Sequence, residues 1–137
     1  MRIMGIDYGD ARTGIAISDL LCGIVGTTTV IHSRNPEKTL TEIMRLIKEN
    51  DVGEIVVGLP KNMDGTEGSR AQLCREFAHL IEERSGVKVA MWDERRTTVE
   101  AHNILSQHNY HGKKRKNTVD AVAASLILEG YLAFKKR

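Results

Sequence analysis

The sequence holds only two cysteines among its 137 residues, Cys22 and Cys74, in unrelated contexts and without C-x-x-C or Cys/His zinc spacing. That excludes a disulfide framework and a structural zinc site, and leaves two buried, reduced thiols as the expectation. No apolar run approaches the roughly 20 residues that a membrane span requires. The first run is short and an acid, Asp7, follows it, so no signal peptide is read and a cytoplasmic protein is expected. The five histidines form no H-x-x-x-H pair and no Ser/His/Asp order is visible. The glycine-rich stretch lacks the G-x-x-x-x-G-K-[ST] of a Walker A loop. Repeats, low-complexity segments and linkers are missing too, so the chain reads as one domain, able to bury about two thirds of its unfolded surface.

What is there is unevenly charged. Gln107 to Arg137 carries seven Lys/Arg against Asp120 and Glu129, whereas the first 106 residues carry 13 basic and 16 acidic side chains. A basic end on a mildly acidic body suits a polyanionic partner, with a solvated tail as the plain alternative.

Ile3, Met4 and Ile6 form a short continuous apolar run, as in a strand buried on both faces. Thr13 to Asp19 follows after a short loop, as in a hairpin, and a third strand from about Gly26 to His32 is rich in Thr, Val and Ile. Asn35 and Pro36 then predict a helix start, with Leu40, Ile43, Met44 and Ile47 on its apolar face. From here strand and helix alternate: a strand at Glu54 to Pro60, a helix with Leu73, Phe77, Leu80 and Ile81 inward, and a strand at Val87 to Trp92. Thr97 and Glu100 have capping-box spacing for a further helix. The basic stretch HNYHGKKRKN reads as a loop before a last helix with Val119, Val122, Ala123, Leu126 and Ile127 inward. The expected fold is α/β: a mixed five-stranded sheet, three antiparallel strands then two parallel, with helices on both faces.

In such a sheet the C-terminal ends of the first, fourth and fifth strands lie together, where ligands bind in open α/β sheets. Asp7 ends the first strand, Asp93 and Glu94 end the fifth, and Asp120 sits in the first turn of the last helix. A lone carboxylate at a buried strand end costs several kcal/mol unless paired or bound to metal. Two or three together repel, raising their pKa, unless a divalent cation neutralises them. Oxygen-only ligands suit Mg²⁺ or Mn²⁺. Each acid also has an ordinary reading: Asp7 as a turn residue, Glu94 as a surface charge, Asp120 as a complement to the helix dipole.

Arg95 and Arg96 follow Glu94 directly, and Lys113, Lys114, Arg115 and Lys116 arrive just before Asp120. Carboxylates for metal ions ringed by cations that grip a phosphate backbone are what phosphodiester chemistry needs. The loop LPKNMDGTEGSRA offers backbone amides at Asn62, Gly65, Gly68 and Ser69 for a phosphate, assisted by Lys61 and Arg70, or is simply a turn. His108 and His111, flanking Tyr110, read as exposed loop residues.

The stretches IMGIDYG with GIAISD, VVGLPKNMDGTEGSRA, WDERRTT and KRKNTVDAVAASLILEGYL resemble the YqgF family, small RNase H-like proteins described as Holliday junction resolvases and as pre-16S rRNA nucleases. The resemblance runs from Arg2 to about Leu132. It implies a single RNase H-like domain and a metal-dependent endonuclease whose acidic positions fall on Asp7, Glu94 and Asp120, with Asp93 as a fourth candidate. These acids would hold Mg²⁺ or Mn²⁺, two ions in the usual arrangement, for in-line attack of water on a phosphodiester. The implied partner is structured nucleic acid, an rRNA precursor or branched DNA. Cutting a four-way junction symmetrically would call for a homodimer. Two other readings stand beside it. IDYGDARTG also resembles the first phosphate loop of the actin and sugar-kinase group, whose members clamp ATP between two such domains where this chain supplies one. A non-catalytic nucleic-acid adaptor would keep the basic surface but gain nothing from three acids.

Overall fold

A computed structural model of the chain describes residues 1–95 and 112–136, with side chains in the last helix from Val119 onward. The elements are β1 (Arg2–Asp7), β2 (Arg12–Ser18), β3 (Val25–His32), α1 (Pro36–Glu49), β4 (Val52–Leu59), α2 (Ser69–Ser85), β5 (Lys88–Asp93) and α3 (Gly112–Lys135). The strands form one sheet in the order β3-β2-β1-β4-β5. β1 pairs antiparallel with β2 and β2 with β3, while β4 runs parallel to β1 and β5 parallel to β4. The expected architecture of three antiparallel and then two parallel strands is the one observed. Among the described residues no helix is long and apolar enough to cross a membrane.

Local chemistry sets the boundaries. Asn35 caps α1, its Oδ1 accepting from the Glu37 amide at 2.9 Å, and Pro36 follows as the first helical residue. α2 ends at Gly86, whose φ of 71° is the left-handed stop that favours glycine.

Side chains alternate across the strands and build two cores. Met4, Ile6, Ile15, Ile17, Ile55 and Val57 meet α1 and α2 through Leu40, Ile43, Phe77 and Ile81. Ile3, Ala16 and Val56 meet α3 through Ala124, Ile127, Leu128, Tyr131 and Leu132. The α3 stripe is therefore rotated from the expected one. Ala123 and Ile127 are buried as expected, but Val119, Val122 and Leu126 are only half-buried, and Ala124, Leu128 and Leu132 take the sheet. The true stripe steps by four from Asp120, so the helix turns this acid toward the sheet along with its apolar residues. In α2, Leu73 is 46% exposed instead of inward, because Ala71, Cys74, Phe77, Ala78 and Ile81 form the buried row.

The basic stretch is corrected as well: helix begins at Gly112, so Lys113, Lys114, Arg115 and Lys116 belong to the first turns of α3 and not to a loop. The helix expected at Thr97 and Glu100, and the residues His108, Tyr110 and His111, lie outside the described residues. Both cysteines are free, and only Cys74 is buried; Cys22 is half-buried in the β2–β3 turn, its Sγ donating to the Met1 carbonyl at 3.0 Å.

The packing of α3 carries more stability than any single cap. Leu128→Ala is expected to cost about 2–5 kcal/mol in urea unfolding, through lost burial and the cavity left behind. Asn35→Ala should cost about 1 kcal/mol by the same measurement.

Candidate active site

Alternation along the strands gathers the polar residues of interest on one face. Gly5 and Asp7 of β1, Arg12 and Gly14 of β2, and Gly58 of β4 share parity with Ile3, Ala16 and Val56, the residues that meet α3. Glu94, just past β5, continues the parity of Trp92 and anchors by donating its amide to the Leu59 carbonyl at 3.1 Å. Asp7 pairs in register with Gly14.

Two glycines make the gathering feasible. A Cβ on Gly14 would fall on the Asp120 carbonyl oxygen, so only glycine lets the α3 backbone come down beside the end of β1. A Cβ on Gly58 would lie 2.6 Å from Glu94 Cδ and equally close to Ile127 Cδ1, so its absence is the space that the Glu94 carboxyl fills.

Asp7 and Glu94 are joined by a side-chain hydrogen bond, which requires that one carboxyl keep its proton. Glu94 is 9% exposed, and burial first, then the charge of Asp7, pushes its carboxyl up to about 9. Burial likewise pushes Asp7 up, with the charge of Asp120 adding to the effect and the Glu94 hydrogen bond and the Arg70 charge offsetting it. Asp120 is raised by burial too, against the pull of Arg12, whose Nε lies 2.8 Å from its Oδ2.

The structure thus brings Asp7 and Glu94 into contact and Asp120 into charge range of Asp7. Among the described residues, no group of three or more His, Cys, Asp or Glu side chains stands in metal-holding geometry. The residues present nevertheless suit a divalent cation: the donors are all carboxyl oxygens, and Asp7 and Glu94 hold a proton between them where a cation would relieve the same repulsion. Asp93 does not join them. It pairs with Arg95 at 2.6 Å, which holds its carboxyl below the usual range.

The cations read from the sequence are differently engaged. Arg70 donates to Asp10 at 2.7 Å and to the Tyr8 carbonyl, and lies 5.2 Å over the Tyr8 ring, which itself stacks on Phe77. Arg95 is held by Asp93 and reaches the Met63 carbonyl at 3.4 Å. Asn62 bonds Thr66 through both backbone and side chain, and the Gly65 amide donates to the Asn62 carbonyl, so these two amides close the loop on itself. Lys61 is half-buried at the loop's start, its charge felt at Glu67 and Asp93. Arg96 lies outside the described residues, as do the side chains of Lys113, Lys114, Arg115 and Lys116. Sequence reasoning missed Arg12, which reads as a turn residue; its parity with Gly14, on the face that α3 covers, shows only once β2 is seen to begin at Arg12.

The strand order and the pattern of parallel and antiparallel pairing are those of the RNase H-like fold of the junction resolvases. Thermus thermophilus RuvC, solved in complex with a Holliday junction substrate, aligns with a TM-score of 0.63 at 12% identity, over 99% of this chain and 96% of that one. The fowlpox virus Holliday junction resolvase aligns with a TM-score of 0.61 at 14% identity, over 98% of this chain and 99% of that one. A family model described as RuvX, Holliday junction resolvase, matches residues 1–134, and the chain belongs to that family. A relative from Halothermothrix orenii, named "Putative pre-16S rRNA nuclease", is 47% identical over 137 residues, covering 100% of this chain and 98% of its own. The resemblance to the YqgF family read from the motifs is borne out.

Because the fold raises both Asp7 and Glu94 above the ordinary carboxylate range, their ionisation costs the folded chain stability that it does not cost the unfolded one, and folding is favoured at low pH. That advantage disappears as pH rises from about 4.5 toward about 9. With chelator present, Glu94→Gln should melt above the parent chain near about pH 8, and the gap should close toward the acid end of the window. Parallel melting curves across this range check the expectation.

Proposed function

We propose that the chain is a single nuclease domain that hydrolyses phosphodiester bonds in structured nucleic acid with a divalent metal. The observation that carries this reading is the buried Asp7–Glu94 pair with Asp120 beside it, on the sheet face closed by α3. Membership of a resolvase family and relatives named for pre-16S rRNA cleavage support the choice of substrate class.

Asp7, Glu94 and Asp120 would hold Mg²⁺ or Mn²⁺. When bound, the cation supplies Lewis-acid polarisation of the phosphodiester and of the attacking water. The chain's own part is to bury Glu94 in the space left by Gly58, to set Asp120 beside β1 through Gly14, and to grip the backbone. Lys61, Arg96 and the basic first turns of α3, Lys113, Lys114, Arg115 and Lys116, serve as a backbone clamp without base reading. Asn62 shapes the loop that carries Lys61. Arg70 and Arg95 engage phosphate only by exchanging it for Asp10 and Asp93.

The precursor of 16S rRNA and a four-way DNA junction are the two substrates that the family description and the relatives' names support, and only the second requires a homodimer. Cleavage of both, measured side by side with the mass in solution, separates them.

The metal reading is tested by melting. Mg²⁺ or Mn²⁺ should raise the melting temperature through linkage, and Asp7→Asn should reduce that gain; an equal gain in both chains would remove Asp7 from the metal shell. In cleavage assays Asp7→Asn, Glu94→Gln and Asp120→Asn should each lose on the order of 10³-fold or more. Double variants should be hardly worse, because the acids act as a unit. Replacing Lys113, Lys114, Arg115 and Lys116 by Ala should weaken binding to unrelated sequences alike and flatten the salt dependence by up to about 0.9 per lost contact.

A further inference from the structure

The Arg12–Asp120 pair raises a question that the proposed metal site leaves open. Asp120 is the acid best placed by α3 to complete a set with Asp7 and Glu94, yet its Oδ2 is taken by Arg12 Nε at 2.8 Å. Arg12 is not a buried structural cation: its side chain is 34% exposed, whereas that of Asp120 is 19% exposed. It sits at the first residue of β2, on the α3 side of the sheet, two residues from the Gly14 that faces Asp7. It is therefore open to solvent at the start of β2 while its Nε holds Asp120.

A guanidinium in that position has two natural partners of the same geometry. Its planar fork matches carboxylate and phosphate alike, so exchange of one for the other keeps its hydrogen bonding intact. Resting on the metal-dependent reading above, we propose that Arg12 is a clasp opened by substrate. In the free chain it holds Asp120, and a phosphodiester of bound nucleic acid takes Arg12 and releases Asp120 toward Asp7 and Glu94. Arg12 acts as a positioning residue, since it reaches the metal only through Asp120.

The exchange couples two ligands. Whatever lets nucleic acid draw Arg12 away must let the metal bind more tightly in its presence, and the metal must in return tighten nucleic acid binding. A plain structural pair makes the opposite demand, because an Arg12 that merely steadied Asp120 as a ligand would have to be present for the metal to bind well.

Titration calorimetry of Mg²⁺ into the free chain distinguishes the two. Arg12→Gln removes the clasp, and Mg²⁺ should bind about five-fold tighter or better than to the parent chain. In an Asp120→Asn background the same replacement should give no gain, because the effect runs through Asp120. A gain that persists there would mean only that a nearby positive charge had been removed, and would overturn the proposal. Weaker Mg²⁺ binding by a folded Arg12→Gln chain would overturn it as well, and would make Arg12 a support for the ligand. Melting curves establish that each variant is folded, and Arg12→Lys, which keeps the charge, should stay near the parent chain. In a second arm, binding of a synthetic four-way DNA junction in EDTA should show a salt dependence flatter by about 0.9 for Arg12→Gln, the loss of one phosphate contact; an unchanged slope overturns the clasp. If neither the parent chain nor Arg12→Gln binds Mg²⁺ at all, the underlying metal reading fails too. Mg²⁺ binding by the parent that Arg12→Gln weakens sinks the clasp alone.

Discussion

Everything at the candidate site depends on how closely α3 is allowed to approach the sheet. At Gly14 the approach leaves no room for a side chain, and at Gly130 a Cβ would lie 2.8 Å from the Trp92 ring. A helix seated this tightly cannot rotate without breaking the row formed by Ala124, Leu128 and Leu132, so the position of Asp120 is fixed by apolar packing a turn or more away. Its other end is pinned by charge: Glu54 on β4 accepts from the Tyr131 hydroxyl and lies 2.6 Å from Lys135 Nζ. The helix is thus held by an acid of the sheet at its C-terminal end, and by a cation of the sheet, Arg12, near its start.

Against that rigid frame the cost of the pocket becomes intelligible. Two carboxyls are kept out of water within hydrogen-bonding distance of each other, and their mutual repulsion is offset by a retained proton and by the charge of Arg70. Arg70 itself belongs to the opposite layer, at the start of α2, and reaches round the end of β1 to bond Asp10 and the Tyr8 carbonyl. The Tyr8–Phe77 stack, with rings 3.9 Å apart, fixes the route it takes. Cys74 lies in the same α2 layer, where burial lifts its thiol to about 11 and leaves it protonated and unreactive. The two cores supply the stability that holds such an unfavourable grouping in place.

Much of this was legible in the chain. The strand sequence, the switch from hairpin to alternating elements and the acids at strand ends follow from periodicity and turn chemistry, and they place Asp7 and Glu94 correctly at one edge of the sheet. What periodicity could not supply was the phase of α3. Its sequence is apolar around much of the cylinder, so Val119, Val122 and Leu126 make as good a stripe on paper as Ala124, Leu128 and Leu132, and only the glycines of the facing strands decide between them. The same applies to the cations. Arg70 and Arg95 look like free phosphate ligands in the sequence; the partner of Arg70, Asp10, becomes visible only when loops from distant segments meet, and that of Arg95, Asp93, only once the turn after β5 folds the guanidinium back on a carboxylate two residues earlier. Arg12 was hidden for a third reason: it reads as one polar residue of a turn until the strand it opens is known to present it across the sheet to a residue 108 positions away.

That separation has a consequence for the order in which the molecule comes into being on the ribosome. Asp7 and Arg12 are made before Asp120, with most of the sheet and both α1 and α2 laid down in between. During that interval Ile3, Ala16 and Val56, which α3 covers in the finished fold, have no cover, and the growing chain has strands β1 to β5 without the last acid. Until α3 is present, the sheet residues that it covers and the Asp7–Glu94 pair lack both their cover and their third carboxylate. Docking of the last helix buries the exposed apolar face and delivers the missing carboxylate in the same movement. On the proposed reading hydrolytic capacity arrives together with the cover of the sheet, so a chain that has not yet docked α3 is an inert one.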